Sequence, residues 1–166
     1  MKHLILLRHA KSSWQNPDID DFDRSLNKRG KRGARALGAW VQQSEWVPDQ
    51  VLCSSARRTR ETWEEMGLEG APDLRDELYN ADTAALLDAL RKARGDTVLL
   101  IGHNPGIARL AHLLVAARPD HPRFDDFPTG SLLVADFDID SFAALQPETG
   151  VVRDFLTPHD LTDGGD

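Results

Sequence analysis

Three apolar runs in this chain end in residues suited to holding an anion. Leu4–Leu7 leads into Arg8-His9, Val51–Cys53 into Ser54-Ser55-Ala56-Arg57-Arg58-Thr59, and Val98–Ile101 into Gly102-His103-Asn104-Pro105-Gly106. In an open α/β sheet, ligands gather just outside the carboxyl ends of the strands, so the three ends can meet in one cationic pocket containing two imidazoles. That set fits phosphoryl transfer, in which charge spreads over three equatorial oxygens and catalysis is mostly positioning and electrostatic stabilisation. Arginine supplies a planar, permanently charged fork. The backbone N–H groups of Asn104, Gly106 and Ile107, opening a helix, offer a further anion site, and glycine at 102 and 106 permits close backbone approach.

Histidine adds nucleophilicity. A neutral imidazole nitrogen can attack phosphorus and become phosphorylated, and neighbouring positive charge favours that neutral form. His9 is the candidate nucleophile, with its other ring nitrogen donating to a backbone carbonyl. His103 is placed to donate to the phosphoryl oxygens. Taken singly, each motif has a plainer reading. Arg8-His9 could be a solvated strand end. Arg57, Arg58 and Arg60 could be an exposed helix face paired with Glu61, Glu64 and Glu65. Gly102–Gly106 could be an ordinary turn. Their joint occurrence at three strand ends is what points to a site.

The elements that must position these residues follow from the pattern. Short, continuously apolar runs are strands buried on both faces. Residues 11–27 form a polar, Asp-rich connection with Trp14 and Phe22 as its apolar anchors. Asn27 caps a helix running to about Gln43, weakened by Gly30, Gly33 and Gly38 by up to ~1 kcal/mol each relative to Ala. A second helix spans about Ala56 to Met66 and stops near Gly67. An edge strand is expected around Pro72–Leu74. Asp82 caps an amphipathic helix with Leu86, Leu87 and Leu90 inward. Pro105 suits the first turn of a helix reaching about Ala117. Residues 118–130 are irregular, and 131–137 and 151–156 read as late strands. Alternating strands and helices imply a three-layer α/β sandwich with a mostly parallel central sheet. The expected organisation is a single domain over residues 1–160 with a flexible tail at 161–166.

Composition narrows the class. The chain has 166 residues and a net charge of −7, which argues against general attraction to nucleic acid or an anionic membrane. A basic pocket is therefore a local feature. The single cysteine, Cys53, rules out an intrachain disulfide. The apolar run after Lys2 is too short for a signal core of about 7–15 residues. A soluble, cytoplasmic protein is expected.

At the level of motifs, Leu6-Leu7-Arg8-His9-Ala10-Lys11-Ser12 resembles the Arg-His-Gly signature of the histidine phosphatase (phosphoglycerate mutase-like) superfamily. The Ala-Lys-Ser form is similar to its SixA-type phosphohistidine phosphatase branch. Asp23-Arg24-Ser25-Leu26 with Arg29-Gly30, Cys53 to Thr62, and Gly102 to Gly106 resemble further segments of that family, in order and at suitable spacing. The resemblance implies a phosphoglycerate mutase-like fold and a cofactor-free hydrolase acting through a phosphohistidine intermediate. It also implies a phosphate-bearing substrate, such as a phosphohistidine protein of a phosphorelay or phosphotransfer chain in signal transduction. By position, Arg8 and Arg58 clamp phosphate, His9 is phosphorylated and His103 completes the pocket, with Asn104 and Ser12 as further substrate contacts. Many relatives carry an acidic proton donor with no clear match here; Glu77 and Asp82 are the nearest candidates, each with a plainer reading as an exposed carboxylate or a helix cap.

Other readings remain beside this one. A cysteine-dependent phosphatase needs Arg six positions after its Cys, where this chain has Thr59. A nucleophile elbow at Gly102–Gly106 would have Asn104 in place of serine. A metal site is disfavoured because His9 and His103 lie near arginines, and the acidic 18–23 run lacks a calcium-loop frame and reads instead as a solvated loop at the border of the pocket. A small-molecule phosphomonoesterase of the same superfamily stays open, as does a non-catalytic phosphohistidine-binding module.

Overall fold

A computed structural model of the chain describes residues 1–162. Six strands form one sheet: β1 (Lys2–Arg8), β2 (Gln50–Ser54), β3 (Asp73–Arg75), β4 (Thr97–Gly102), β5 (Leu132–Phe137) and β6 (Val151–Leu156). Their order is β3-β2-β4-β1-β5-β6. The first four run parallel, β5 runs antiparallel to β1, and β6 runs antiparallel to β5. The mostly parallel sheet expected from the sequence is thus mixed at one side. The site-bearing strands β2, β4 and β1 are neighbours, with Arg8 of β1 in register with Gly102 of β4.

Alternation along β1 explains the two layers. Leu4 and Leu6 enter one apolar core and Ile5 and Leu7 the other, as side chains two apart share a face. The first core takes α3 (Thr83–Arg91), α4 (Gly106–Leu114) and the phenylalanines at 124, 127, 137, 142 and 155. The second takes α1 (Lys28–Gln43), α2 (Arg57–Met66) and α5 (Pro158–Leu161). Fully burying a side chain such as Leu6 contributes about 1.5–3 kcal/mol, so the sheet is held from both sides.

Helix limits follow local chemistry. The Asn27 side chain accepts from Gly30 N–H to start α1, Asp82 accepts from Ala85 N–H to start α3, and Gly67 ends α2 with φ 69°. Two glycines of α1 are required by close approach. A Cβ on Gly30 would sit 2.0 Å from the Lys11 carbonyl oxygen, and one on Gly38 would sit 1.9 Å from that of Met66. Their propensity cost is offset by backbone packing that no larger residue permits.

Three sequence expectations need correction. The helix expected to reach Ala117 stops at Leu114, because Val115 turns to extended backbone and Ala116 N–H donates to the Gly150 carbonyl at 2.7 Å. Trp14 is no buried anchor: it is 76% exposed, with the Arg24 guanidinium 3.5 Å from its ring centroid. The expected tail begins too early, since Leu161 closes α5 and packs against the second core. The remainder of the expected tail, residues 163–166, lies outside the described residues.

Candidate active site

The carboxyl ends of β1, β2 and β4 surround a cavity of about 280 Å³ lined by Arg8, His9, Ser12, Arg58, His103 and Asn104, together with Lys11, Trp14, Arg24, Asn80 and Thr129. No carboxylate is among these lining residues. His9, Arg58 and His103 are all 5% exposed or less, and the two imidazole centroids lie 5.3 Å apart.

The hydrogen bonds specify how His9 is presented. Its Nδ1 lies 2.7 Å from the Ala10 carbonyl oxygen, while Arg58 Nε–H donates to its Nε2 at 3.3 Å. A carbonyl accepts only, and a guanidinium donates only. Nδ1 therefore carries the proton, and Nε2 presents a lone pair. Burial holds the His9 pKa well below its ordinary value; the Ala10 hydrogen bond opposes this, and the charges of His103, Arg58 and Arg8 reinforce it. The ring is neutral and nucleophilic at physiological pH.

His103 is fixed by Ser54. Its Nε2 lies 2.8 Å from Ser54 Oγ, which also accepts from Ala56 N–H at 3.3 Å. The Ser54 hydroxyl can donate to Nε2, which leaves the proton of the neutral ring on Nδ1, or accept from Nε2–H. Burial first, then the Arg58 charge, lowers the His103 pKa to about 3, so the ring is neutral. His103 Nδ1 and Arg8 Nε are both buried without a partner. Buried polar atoms left unsatisfied call for explanation, and an anion in the cavity would supply one for Arg8 Nε and for a protonated His103 Nδ1.

Arg58 is held by a group absent from the sequence-derived set. Its Nη1 donates to the Asp21 carbonyl at 2.7 Å and its Nη2 to Asp21 Oδ2 at 3.0 Å. The Tyr79 hydroxyl donates to the same carboxylate oxygen. Burial raises the Asp21 pKa, but the Tyr79 hydrogen bond and the Arg58 charge more than offset it and leave it lowered. The acidic 18–23 loop thus closes onto the site through a 3₁₀ turn at Asp21–Asp23. Asp21, Tyr79, Ser54 and Arg24 were missed because their partners lie 37 to 58 residues away or, for Arg24, because stacking on Trp14 leaves no periodic signal. The hints were the position of Ser54 and Arg24 inside motifs already singled out and the reading of the acidic 18–23 run as a loop at the border of the pocket.

Other expected contacts fall differently. Ser12 is buried and lines the cavity. The Asn104 side chain is committed to structure: Oδ1 accepts from Ala108 N–H at 3.2 Å, and Nδ2 donates to the carbonyls of Asp126 and Phe127. Ile107 N–H is already taken by the His103 carbonyl at 2.9 Å, which removes it from the expected anion site. Neither Glu77 nor Asp82 lines the cavity: Glu77 is exposed on a 3₁₀ turn at Asp76–Leu78, and Asp82 caps α3. Arg57 pairs with Glu61 at 3.0 Å on the helix surface. Cys53 is fully buried, and burial pushes its thiol up to about 12. Among the described residues, no three or more His, Cys, Asp or Glu side chains group where they could hold a metal ion.

Comparison with known proteins bears on the family and the fold. The model of the histidine phosphatase superfamily (branch 1) matches residues 4–82. An uncharacterised protein of Mycobacterium leprae is 33% identical over 137 residues, covering 77% of this chain and 85% of that protein. The solved SixA-type protein of Nakamurella multipartitia superposes with a TM-score of 0.83 at 29% identity, covering 95% of this chain and 96% of the other. That of Agrobacterium tumefaciens gives 0.77 at 28% identity, covering 95% and 99%. With its motifs, fold and relatives in accord, the chain belongs to the histidine phosphatase superfamily, as a phosphatase of its SixA-type branch.

Proposed function

We propose that the protein removes phosphate from phosphohistidine on a partner protein, through a phosphorylated His9 and without a metal ion. The observation that carries this reading is the His9 ring, with Nδ1 tied to the Ala10 carbonyl and an unprotonated Nε2 facing Arg58. In the first step the Nε2 lone pair attacks phosphorus and the bond from phosphorus to the substrate's imidazole nitrogen breaks. That nitrogen, protonated from solvent, leaves as neutral imidazole. In the second step water attacks phospho-His9, the new P–N bond breaks, and inorganic phosphate departs with the water's oxygen. Arg8, Arg58 and His103 Nδ1–H meet the developing oxygen charge, the kind of preorganised donation that dominates such catalysis.

Two features favour a phosphohistidine protein over a small ester. An alkoxide leaving group needs general acid help, and neither Glu77 nor Asp82 reaches the cavity. The segment between α2 and α3 holds only β3 and a 3₁₀ turn, which leaves no lid to enclose a small substrate. The arginines around the cavity repel a cation, which favours chemistry without a metal. Comparing kcat/KM for a phosphohistidine protein, sugar phosphates, nucleotides and an aryl phosphate tests the reading. Preference for the phosphohistidine protein, undiminished by strong chelation and with label trapped on His9, is expected. Efficient hydrolysis of small esters with none of the phosphohistidine protein would overturn the substrate assignment. Binding of a phosphohistidine protein without any turnover would make the chain a recognition module instead.

A further inference from the structure

A second cavity of about 220 Å³ adjoins the first, with Lys11 and Thr129 lining both. Its wall includes Arg29, Arg123 and His159 as well as Lys11 and, among the described residues, no carboxylate. In a chain of net charge −7, two contiguous hollows whose described lining residues include no acidic one gather positive charge in one place, and such clefts focus the field on an anion. The Lys11 side chain, at the junction, takes part in no hydrogen bond or ion pair among the described residues. The Arg123 guanidinium is held by Asp126, with Nη2 donating to Oδ2 at 2.8 Å, and Asp126 itself stays out of the cavity wall. The first turn of α1 meets this wall through Arg29 and Gly30, and the absent Cβ of Gly30 lets it close on the Lys11 backbone.

We propose that this second cavity is an anion subsite of the same active centre, holding a carboxylate or phosphate that the substrate carries beside the phosphoryl group to be removed. The inference rests on the phosphatase reading of the first cavity and adds a requirement on substrate chemistry. Lys11 spans the two anions, and Arg29 and Arg123 contact the second. On a protein substrate the second anion is an acidic side chain near the phosphohistidine; on a small substrate it is a second acidic group.

The test uses matched pairs: phosphohistidine peptides with Glu or Gln beside the modified residue, and aryl phosphates with or without a ring carboxylate. The readout is the ratio of kcat/KM within each pair. A ratio above one in the parent enzyme, lowered about fivefold by Arg29→Gln or Arg123→Gln as expected for partly exposed charge contacts, supports the subsite. Arg29→Lys should retain most of the preference if charge is what counts. The pair that shows the larger effect identifies the source of the anion. Ratios near one in the parent enzyme, or ratios unmoved by both variants, overturn the inference while leaving the phosphatase reading intact. Absence of turnover with every substrate overturns that reading, and the subsite is then judged by equilibrium titration with inorganic phosphate at low ionic strength. Two phosphates bound per chain, reduced to one by combining Arg29→Gln with Arg123→Gln, support it; one in both proteins overturns it.

Discussion

Arg58 Nε lies 3.3 Å from His9 Nε2, so the guanidinium hydrogen-bonds to the atom that attacks in the proposed mechanism. An arriving phosphoryl group would take over this donor as it meets the lone pair, so one residue both marks the nucleophile's position and stabilises the charge it creates. Arg58→Ala should therefore lower kcat by about a hundredfold or more, as when a transition-state donor is lost. His9→Ala should abolish both turnover and covalent labelling. Single-turnover measurements with labelled substrate check both; near-normal turnover in either variant would remove that residue from the chemistry.

Asp21 holds Arg58 from the other side, through both its carbonyl and its carboxylate. Because that carboxylate is 44% exposed, solvent screens its contribution. Asp21→Asn should keep the carbonyl contact and lower kcat/KM by only a few-fold, whereas Tyr79→Phe should lower it less. A loss from Asp21→Asn as large as that from Arg58→Ala would mean that Asp21 does more than orient the guanidinium.

Ser54 acts through His103. Without its hydroxyl, Nε2 of the ring loses its hydrogen-bond partner, which in the proposed mechanism donates and keeps the proton on Nδ1. Ser54→Ala should lower kcat about tenfold, the scale of one net hydrogen bond of ~1–1.5 kcal/mol, with KM less affected. Nitrogen NMR of the imidazoles supplies the readout that a merely structural role would not move. The parent protein should show an Nδ1-protonated His103, and the variant a mixture of tautomers.

How much of this was legible before the structure depends on the range of the interaction. Arg8, His9 and His103 sit at strand ends that a run of apolar residues announces, and Asn27 and Asp82 carry their capping chemistry within three residues of the N–H they serve. The grip of Asp21 on Arg58 spans 37 residues and that of Ser54 on His103 spans 49. Nothing local encodes either contact. The end of α4 was misjudged for the same reason: the sequence through Ala117 is compatible with helix, and pairing with Gly150 overrides it. Trp14 misled because apolar character was taken for burial, when Arg24 supplies a stacking partner at the surface.

Two buried neutral imidazoles also shape the response to acid. Both His9 and His103 have folded-state pKa values lowered from 6.5. As pH falls below that value, the unfolded chain takes up protons that the folded chain refuses. The stability contribution is therefore intact above about pH 6.5 and is lost as pH falls through the window down to about 3 for His103, with His9 acting in the same sense. Each such group contributes a slope approaching ~1.4 kcal/mol per pH unit within the window. Denaturant unfolding at a series of pH values should show stability dropping in this range, less steeply in His103→Asn. Parallel curves for the two proteins would show that His103 is protonated in the folded state.

Gly30 ties the helix to the site. The Lys11 carbonyl accepts from Asn27 N–H at 3.0 Å and lies where a Cβ on residue 30 would fall, at 2.0 Å. By helix propensity alone Gly30→Ala would stabilise α1 by up to ~1 kcal/mol. The clash is with backbone, which cannot rotate away, so the substitution must push Lys11 and its neighbour Ser12 out of place. The expected result is a lower Tm together with reduced kcat/KM, since both residues line the cavity beside His9. Gly33→Ala offers the contrast: its Cβ would meet the Pro158 ring at 3.2 Å, a contact that a few tenths of an ångström relieves, so its Tm should fall much less. Should Gly30→Ala raise Tm instead, the packing of α1 against the segment that follows His9 would not be the constraint that keeps glycine at this position.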